Sequence, residues 1–306
     1  MPEPVFFSIV VPTYHRNDQL AKCLQRLSPR RQLDVSESYE VIVTDDGSES
    51  TAEEMIAENY PWVRWVAGPR RGPAANRNAG AKHSVGTWLV FTDDDCLPDS
   101  HWLSALLTEA RSGTYEVLEG KTIPGEPGDA PLKYYVENIG GGNYWSCNLA
   151  VRRETFFRIG GFDEDFLEAG GEDMEFAYRI KRENLPAKFV SSALITHPPR
   201  PLTLNFQIWR TRMSRWTLLY DLKTRAQPAL AGSLFPVLIN LAVQQIVDLL
   251  RTTWHLLIGR HARHWSSQLV QQTWKWITFP FLLPYLMVWE IRFRRMLKER
   301  ASTGGE

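Results

Sequence analysis

Apolar residues in the first two hundred positions come in short blocks of strand length. Polar stretches separate them, and within these an apolar residue recurs every three or four positions. Residues 6–11 read as a buried strand stopping at Pro12-Thr13, and 18–27 as a helix with Leu20, Leu24 and Leu27 on one face. A second strand, 39–44, ends at Asp45-Asp46-Gly47-Ser48, and a helix follows over 51–59. Then come a strand over 62–66, a helix over 73–83 with Pro73 in its first turn, and a strand over 87–92 cut off by Asp93-Asp94-Asp95. The spacing predicts further helices over 99–111, 153–159 and 171–182, and further strands over 146–151 and 187–195. Such alternation predicts an α/β fold with a mostly parallel central sheet covered by helices on both faces.

Beyond Pro198-Pro199 the pattern changes. Residues 226–247 form a 22-residue run without charge, interrupted by Pro236, Asn240, Gln244 and Gln245, and 276–289 form a second of 14 residues with Pro280 and Pro284. We expect two parts, 1–204 and a helical 205–306. Charge sharpens the division: the first part holds 21 Lys/Arg against 30 Asp/Glu, the second 14 against 5, and the net charge is zero. That balance gives no case for a nucleic-acid partner. The second part also carries 7 of the 12 tryptophans, a composition suited to a lipid headgroup layer. Its interrupted apolar run fits an interfacial or packed helix better than a span. Arg292, Arg294, Arg295, Lys298 and Arg300 suit anionic lipid.

Three widely spaced cysteines, Cys23, Cys96 and Cys147, support neither a disulfide framework nor a four-ligand zinc site. Residues 1–8 do not read as a signal peptide. The expected place is therefore the cytoplasm, at the cytosolic face of a membrane.

Candidate chemistry gathers at the strand ends, where ligands bind in sheets of this kind. Side chains alternate along a strand, so Asp93 and Asp95 are expected to face one pocket and Asp94 to point elsewhere. Two such carboxylates call for a cation between them, and Mg²⁺ or Mn²⁺ bridging to a diphosphate suits oxygen ligands. Either Asp45 or Asp46 could accept hydrogen bonds from a base or a ribose, although the segment taken alone reads first as a plain turn. Arg70, Arg71 and Arg77 place cations around a helix start that also favours phosphate. No P-loop or dinucleotide fingerprint accompanies them. Glu172-Asp173 opens a helix whose dipole field favours an ionised acid, the state a general base needs. His197 follows a strand and could complete a metal shell.

Taken in order, Val11-Pro12-Thr13-Tyr14, Asp45-Asp46-Gly47-Ser48, Ala75-Asn76-Arg77-Asn78, Phe91-Thr92-Asp93-Asp94-Asp95, Gly160-Gly161-Phe162-Asp163-Glu164 and Glu172-Asp173 resemble the inverting family 2 glycosyltransferases with the GT-A fold, over roughly residues 6–200. The resemblance implies that Pro12, Thr13, Tyr14 and one of Asp45 or Asp46 line a nucleoside pocket and that Arg77 lies near a diphosphate. It makes Asp93 and Asp95, flanking Asp94, a DxD pair, with His197 as third ligand to Mn²⁺ or Mg²⁺. Asp173, beside Glu172, becomes the base, and Asn148 and Gly161 border the acceptor. The implied reaction moves one sugar, with a UDP-sugar favoured, to a hydroxyl of a glycan or lipid-linked acceptor, as in polysaccharide biosynthesis.

Processive relatives carry Gln-x-x-Arg-Trp, whereas this chain has Arg212-Met213-Ser214-Arg215-Trp216, with Arg in place of Gln. Single transfer is the expectation, and an oligomer is left open. Two other classes were weighed. A nucleotidyltransferase would want a glycine-rich loop after the first strand, and Pro12-Thr13-Tyr14-His15-Arg16 has no glycine. A non-catalytic sugar-binding scaffold would release no nucleotide from any sugar donor.

Overall fold

In a computed structural model the described residues are 4–49, 51–126, 132–224, 243, 246–247, 249–251, 253–254 and 265–303. Most of the 226–247 run lies outside them. The chain divides into two compact units, Met1–Pro127 with Tyr135–Pro199, and Gly128–Tyr134 with Arg200–Glu306.

The first unit is built on a sheet of eight strands: β1 (Phe7–Thr13), β2 (Tyr39–Asp45), β3 (Val63–Ala67), β4 (Trp88–Phe91), β5 (Leu97–Pro98), β6 (Val117–Pro124), β8 (Leu149–Arg152) and β9 (Ala187–His197), in the order β3-β2-β1-β4-β8-β6-β9-β5. Strands β3, β2, β1 and β4 run parallel. Strand β8 is antiparallel to both β4 and β6, and β6 is parallel to β9. The helices are α1 (Asn17–Leu27), α2 (Glu53–Asn59), α3 (Pro73–His83), α4 (Trp102–Arg111), α5 (Arg153–Arg158) and α6 (Glu172–Arg182).

Every residue of β1 is buried, as a central strand requires. Alternation sends Ile9 and Val11 into a core with Leu20 and Leu24 of α1 and with Trp102 and Leu106 of α4. Val10 goes the other way, to Leu89, Phe91, Phe156, Phe162 and Phe176. The two cores cover the two faces and hold the ends of β1, β2 and β4 at one rim. Residues 146–148 form a 3₁₀ turn before β8 and not the start of a strand. Strand β6 has no counterpart in the sequence reading, because Glu119 and Lys121 break its apolar pattern.

Helix α3 lies close on the sheet because of Gly80. A methyl group there would come within 2.4 Å of Val10 Cγ1 and 3.3 Å of Thr44 Cγ2.

The second unit pairs β7 (Lys133–Tyr134) with β10 (Arg200–Pro201), antiparallel, and adds the helices α7 (Leu204–Thr224) and α8 (Trp265–Thr303). Trp216 of α7 lies 5.7 Å from the Phe293 ring and 6.4 Å from Trp289. The Arg215 guanidinium is held over both Trp216, at 4.9 Å, and Trp289, at 4.5 Å. Among the described residues no helix is long and apolar enough to cross a membrane.

Gly80→Ala separates packing from propensity. Alanine favours a helix interior by about 1 kcal/mol, yet overpacking against β1 costs about 1–3 kcal/mol. We expect the variant to have a lower urea midpoint than the parent; a rise would show that α3 can move off the sheet.

Candidate active site

The rim collects the strand ends. Thr13, closing β1, donates its hydroxyl to Asp94 Oδ2 at 2.8 Å, and the Asp46 N–H donates to the Thr13 carbonyl at 3.0 Å. Buried Asn76 of α3 donates its amide to the Thr44 carbonyl at 2.9 Å, tying β2 to the helix.

The three aspartates do not follow strand alternation. Strand β4 stops at Phe91, and the Cys96 N–H donates to the Asp93 carbonyl at 3.1 Å, a turn in which the period of two no longer applies. Asp94 and Asp95 therefore share one partner, Arg16, at 3.1 and 3.3 Å, while Asp93 pairs with Arg77 Nη2 at 2.8 Å. The protein thus supplies its own cations to the cluster, and Arg16 is one the sequence reading passed over. Its only signal is its place three residues beyond a strand end. Burial pushes Asp94 up to about 6, against the opposing pull of Arg16.

Behind Asp93 lies a buried chain of charge. Arg77, 5% exposed, also contacts Glu172 Oε1 at 3.3 Å and lies 5.6 Å from the centre of the Phe162 ring. The other oxygen of Glu172 accepts the N–H groups of Gly170 and Gly171 at 2.7 and 2.9 Å, so a residue of the first turn of α6 holds the approach to its own helix. Burial acts to lower Arg77, but Asp93, Asp173 and Glu172 outweigh it and raise its pKa, keeping the guanidinium protonated.

Asp173, next along α6, has its Oδ1 shielded from solvent, with the Ser146 hydroxyl as a neighbouring donor. Burial, then the charge of Glu172, push it up to about 7 despite the pull of Arg77. The helix field alone would have kept it ionised; desolvation outweighs that field. A carboxyl poised near neutrality is matched to proton transfer at neutral pH.

Asp95 also belongs to a group of side chains that could hold a metal ion. Ligand atoms of Asp95, Cys96 and His197 lie within 4.8 Å of one another, and His197 Nε2 is 3.6 Å from Asp95 Oδ1. His197 Nδ1 is 3.0 Å from the Pro198 carbonyl, which can only accept; Nδ1 therefore carries a proton, and Nε2 is the nitrogen that faces Asp95. Contact with Cys147, followed by burial, pushes the Cys96 thiol well up. The carboxylate oxygen of Asp95 and the imidazole nitrogen of His197 are donors that suit Mn²⁺ or Mg²⁺.

The remaining residues serve several ends. Pro12 is buried, whereas Tyr14 is 60% exposed and its ring centre lies 4.2 Å from that of His15. Asp45 accepts the N–H groups of Gly47 and Ala52 at 2.8 and 2.6 Å, and Asp46 those of Arg70 and Gly72 at 2.9 and 3.2 Å. Both carboxylates thus order the loops around the rim, and Asp46 takes up the N–H groups preceding α3. Asn148 uses its whole amide internally, accepting from Trp102 Nε1 at 2.9 Å and donating to the Lys121 and Ala193 carbonyls at 3.0 Å. Gly161, at φ +67°, turns the chain against Asn78, whose amide clasps both backbone groups of Phe162 at 2.8 and 2.9 Å. Glu119 is a further buried carboxylate the sequence did not reveal. It accepts the Asn138 amide and the N–H groups of Gly142, Asn143 and Tyr144 at 2.5–3.0 Å, ordering the loop that leads to Ser146.

A parallel half-sheet carrying acidic strand ends, joined to an antiparallel strand that brings a second rim, is the GT-A arrangement of nucleotide-sugar enzymes. Residues 8–162 match the model for Glycosyl transferase family 2, and 131–199 match that for the N-terminal domain of galactosyltransferase. The chain belongs to glycosyl transferase family 2. Validoxylamine A glucosyltransferase of Streptomyces hygroscopicus subsp. limoneus is 25% identical over 85% of this chain, which spans 64% of that protein's length. Chondroitin synthase of Escherichia coli is 26% identical over 63% of this chain and 35% of its own. Among solved structures, S. aureus TarS 1-349 with UDP-GlcNAc superposes with TM-score 0.56 at 18% identity, covering 98% of this chain and 92% of its own. Mannosyltransferase PcManGT from Pyrobaculum calidifontis, with GDP-Man and Mn²⁺, gives 0.55 at 18%, covering 100% and 90%.

Asp173 has a measurable signature. Its carboxyl goes from 3.8, its ordinary value, to about 7 on folding. Between these values the native state binds a proton that the unfolded chain has released, so stability falls as pH rises through this window. Asp173→Asn is neutral throughout. We expect its urea midpoint to gain on that of the parent from pH 4 to pH 7; a constant gap would show that Asp173 is charged across the range. Glu119→Gln turns an amide toward the Gly142 N–H and is expected to cost about 1–3 kcal/mol, read by the same melts.

Proposed function

We propose that the protein is a metal-dependent inverting glycosyltransferase that moves one sugar from a nucleoside-diphosphate donor, with a UDP-sugar favoured, to a hydroxyl of a glycan or lipid-linked acceptor. The observation carrying this reading is the meeting of two functions at one rim. Asp95 and His197 offer metal ligands, and Asp173 with Arg77 stands beside neighbouring Asp93. The ligands of TarS and of the Pyrobaculum enzyme, UDP-GlcNAc and GDP-Man with Mn²⁺, support a nucleotide-sugar donor and a divalent ion.

The division of labour follows from the side chains. Thr13, exposed Tyr14 and the loops ordered by Asp45 and Asp46 receive the nucleoside. Asp95 and His197 would hold Mn²⁺ or Mg²⁺, with Asp93 nearby, and the ion supplies positive charge for a departing diphosphate. Arg77 adds a fixed cation to the same end of the site. Asp173 accepts the proton of the acceptor hydroxyl as that oxygen attacks the anomeric carbon; a single in-line displacement inverts it. The Trp-rich, basic 205–306 region supports action at the cytosolic face of a membrane.

A donor panel incubated with Mn²⁺ and assayed for nucleotide release tests this reading. We expect UDP release from one donor class, loss of that release with EDTA, and a drop of about 100-fold or more in Asp173→Asn, with donor affinity within a few-fold of the parent. No release from any donor would leave a sugar-binding scaffold, and an Asp173→Asn enzyme of near-parental rate would remove Asp173 from the role.

A further inference from the structure

Helix α8 has its polarity reversed on the outside. Its inward face is conventional: Leu286 and Phe293 are buried, and buried Glu290 pairs with Arg294 at 2.8 Å. The outward face of a helix in water should be polar. Here it carries Ile277, Phe281, Met287, Val288 and Ile291, exposed by 58, 75, 44, 50 and 56%. Ile277, Phe281, Pro284, Val288 and Ile291 follow one another at steps of four, three, four and three, which aligns them in one stripe. The stripe runs for about 20 Å. Arg292, Arg295, Lys298 and Arg300 follow it over the next turns, with Glu299 as the one acid among them.

Both prolines of the helix belong to this stretch, Pro280 and Pro284. Lacking an N–H, they leave the carbonyls of Trp276 and Pro280 without the usual intrahelical donor. Water satisfies such carbonyls at headgroup depth, whereas in hydrocarbon each needs another protein donor. A stripe of this length with polar backbone beneath it therefore suits shallow, in-plane insertion, and the basic turns beyond it suit negative headgroups.

We infer that the Ile277–Phe281–Val288–Ile291 face of α8 is the surface by which the chain docks on an anionic lipid bilayer. This deepens the membrane placement proposed above by naming the residues that meet the lipid. It is independent of the metal site and of Asp173.

Vesicle flotation of the full chain tests it, using phosphatidylcholine vesicles with and without phosphatidylglycerol. We expect the parent to float with the anionic vesicles and to be released by salt. Phe281→Asp should lower partitioning about tenfold or more. The double variant Arg295→Glu with Lys298→Glu should lower it by at least about 25-fold at low salt, since each basic side chain near such a surface is worth about fivefold. Circular dichroism and nucleotide release, read on the same samples, should match the parent. The charge variant keeps the test decisive if Phe281→Asp fails to fold. A parent that stays with the solution, or variants that float as it does, would overturn the inference. So would a dimer by light scattering that Phe281→Asp converts to monomer without any vesicle binding, which would assign the face to a second copy. Nucleotide release without flotation defeats this inference alone, and flotation without release defeats the proposed reaction alone.

Discussion

The buried run of charge from Asp93 through Arg77 to Glu172 is the constraint on which the site depends. It links the end of β4 and the middle of the neighbouring α3 to the start of α6, some ninety residues further along the chain. A buried guanidinium left without a partner is costly, so none of the three can move alone. Such a pair contributes little net stability compared with an apolar replacement, which shifts its importance from stability to placement. It holds Asp173 beside a permanent cation, and it keeps Asp93 apart from Asp94 and Asp95, which turn to Arg16. The close seat of α3 on Val10, which Gly80 permits, sets the depth from which Arg77 reaches both carboxylates.

Much of the fold was legible because its periodicities are strong. Strands β1 to β4 and helices α1 to α3 fall within a few residues of their expected positions, since each strand is almost wholly apolar and ends in a cluster of turn-forming polar residues. Strand β6 was illegible for a reason rooted in chemistry. Glu119 reads as a surface residue until the folded loop brings a side-chain amide and three backbone N–H groups to its carboxylate. No local pattern announces a partner twenty residues away.

The same limit shaped the site. The polar clusters could be assigned to one rim from topology alone, because parallel strands place their carboxyl ends together. Orientation within a cluster could not. Alternation failed at Asp93-Asp94-Asp95 because the strand had already given way to a turn, and Asn148 proved to be an internal brace, since both of its amide hydrogens meet backbone carbonyls. Arg16 escaped notice because one arginine beyond a strand end is an ordinary feature of sequence. Its significance comes from the two carboxylates that the fold brings to it.

The reversed direction of β8 has a consequence for the junction it makes with β4. Leu149 lies opposite Phe91, so the segment arriving at β8 abuts the segment leaving β4. One wall of the cleft thus comes from chain departing the parallel strands, the other from chain entering an antiparallel one. The arriving segment is pinned from within: Glu119 holds Asn138 and residues 142–144, and the Asn148 amide is fixed to the Lys121 and Ala193 carbonyls. A change of length there would have to replace the partners of a buried carboxylate, which ties the shape of this junction to the interior beneath it.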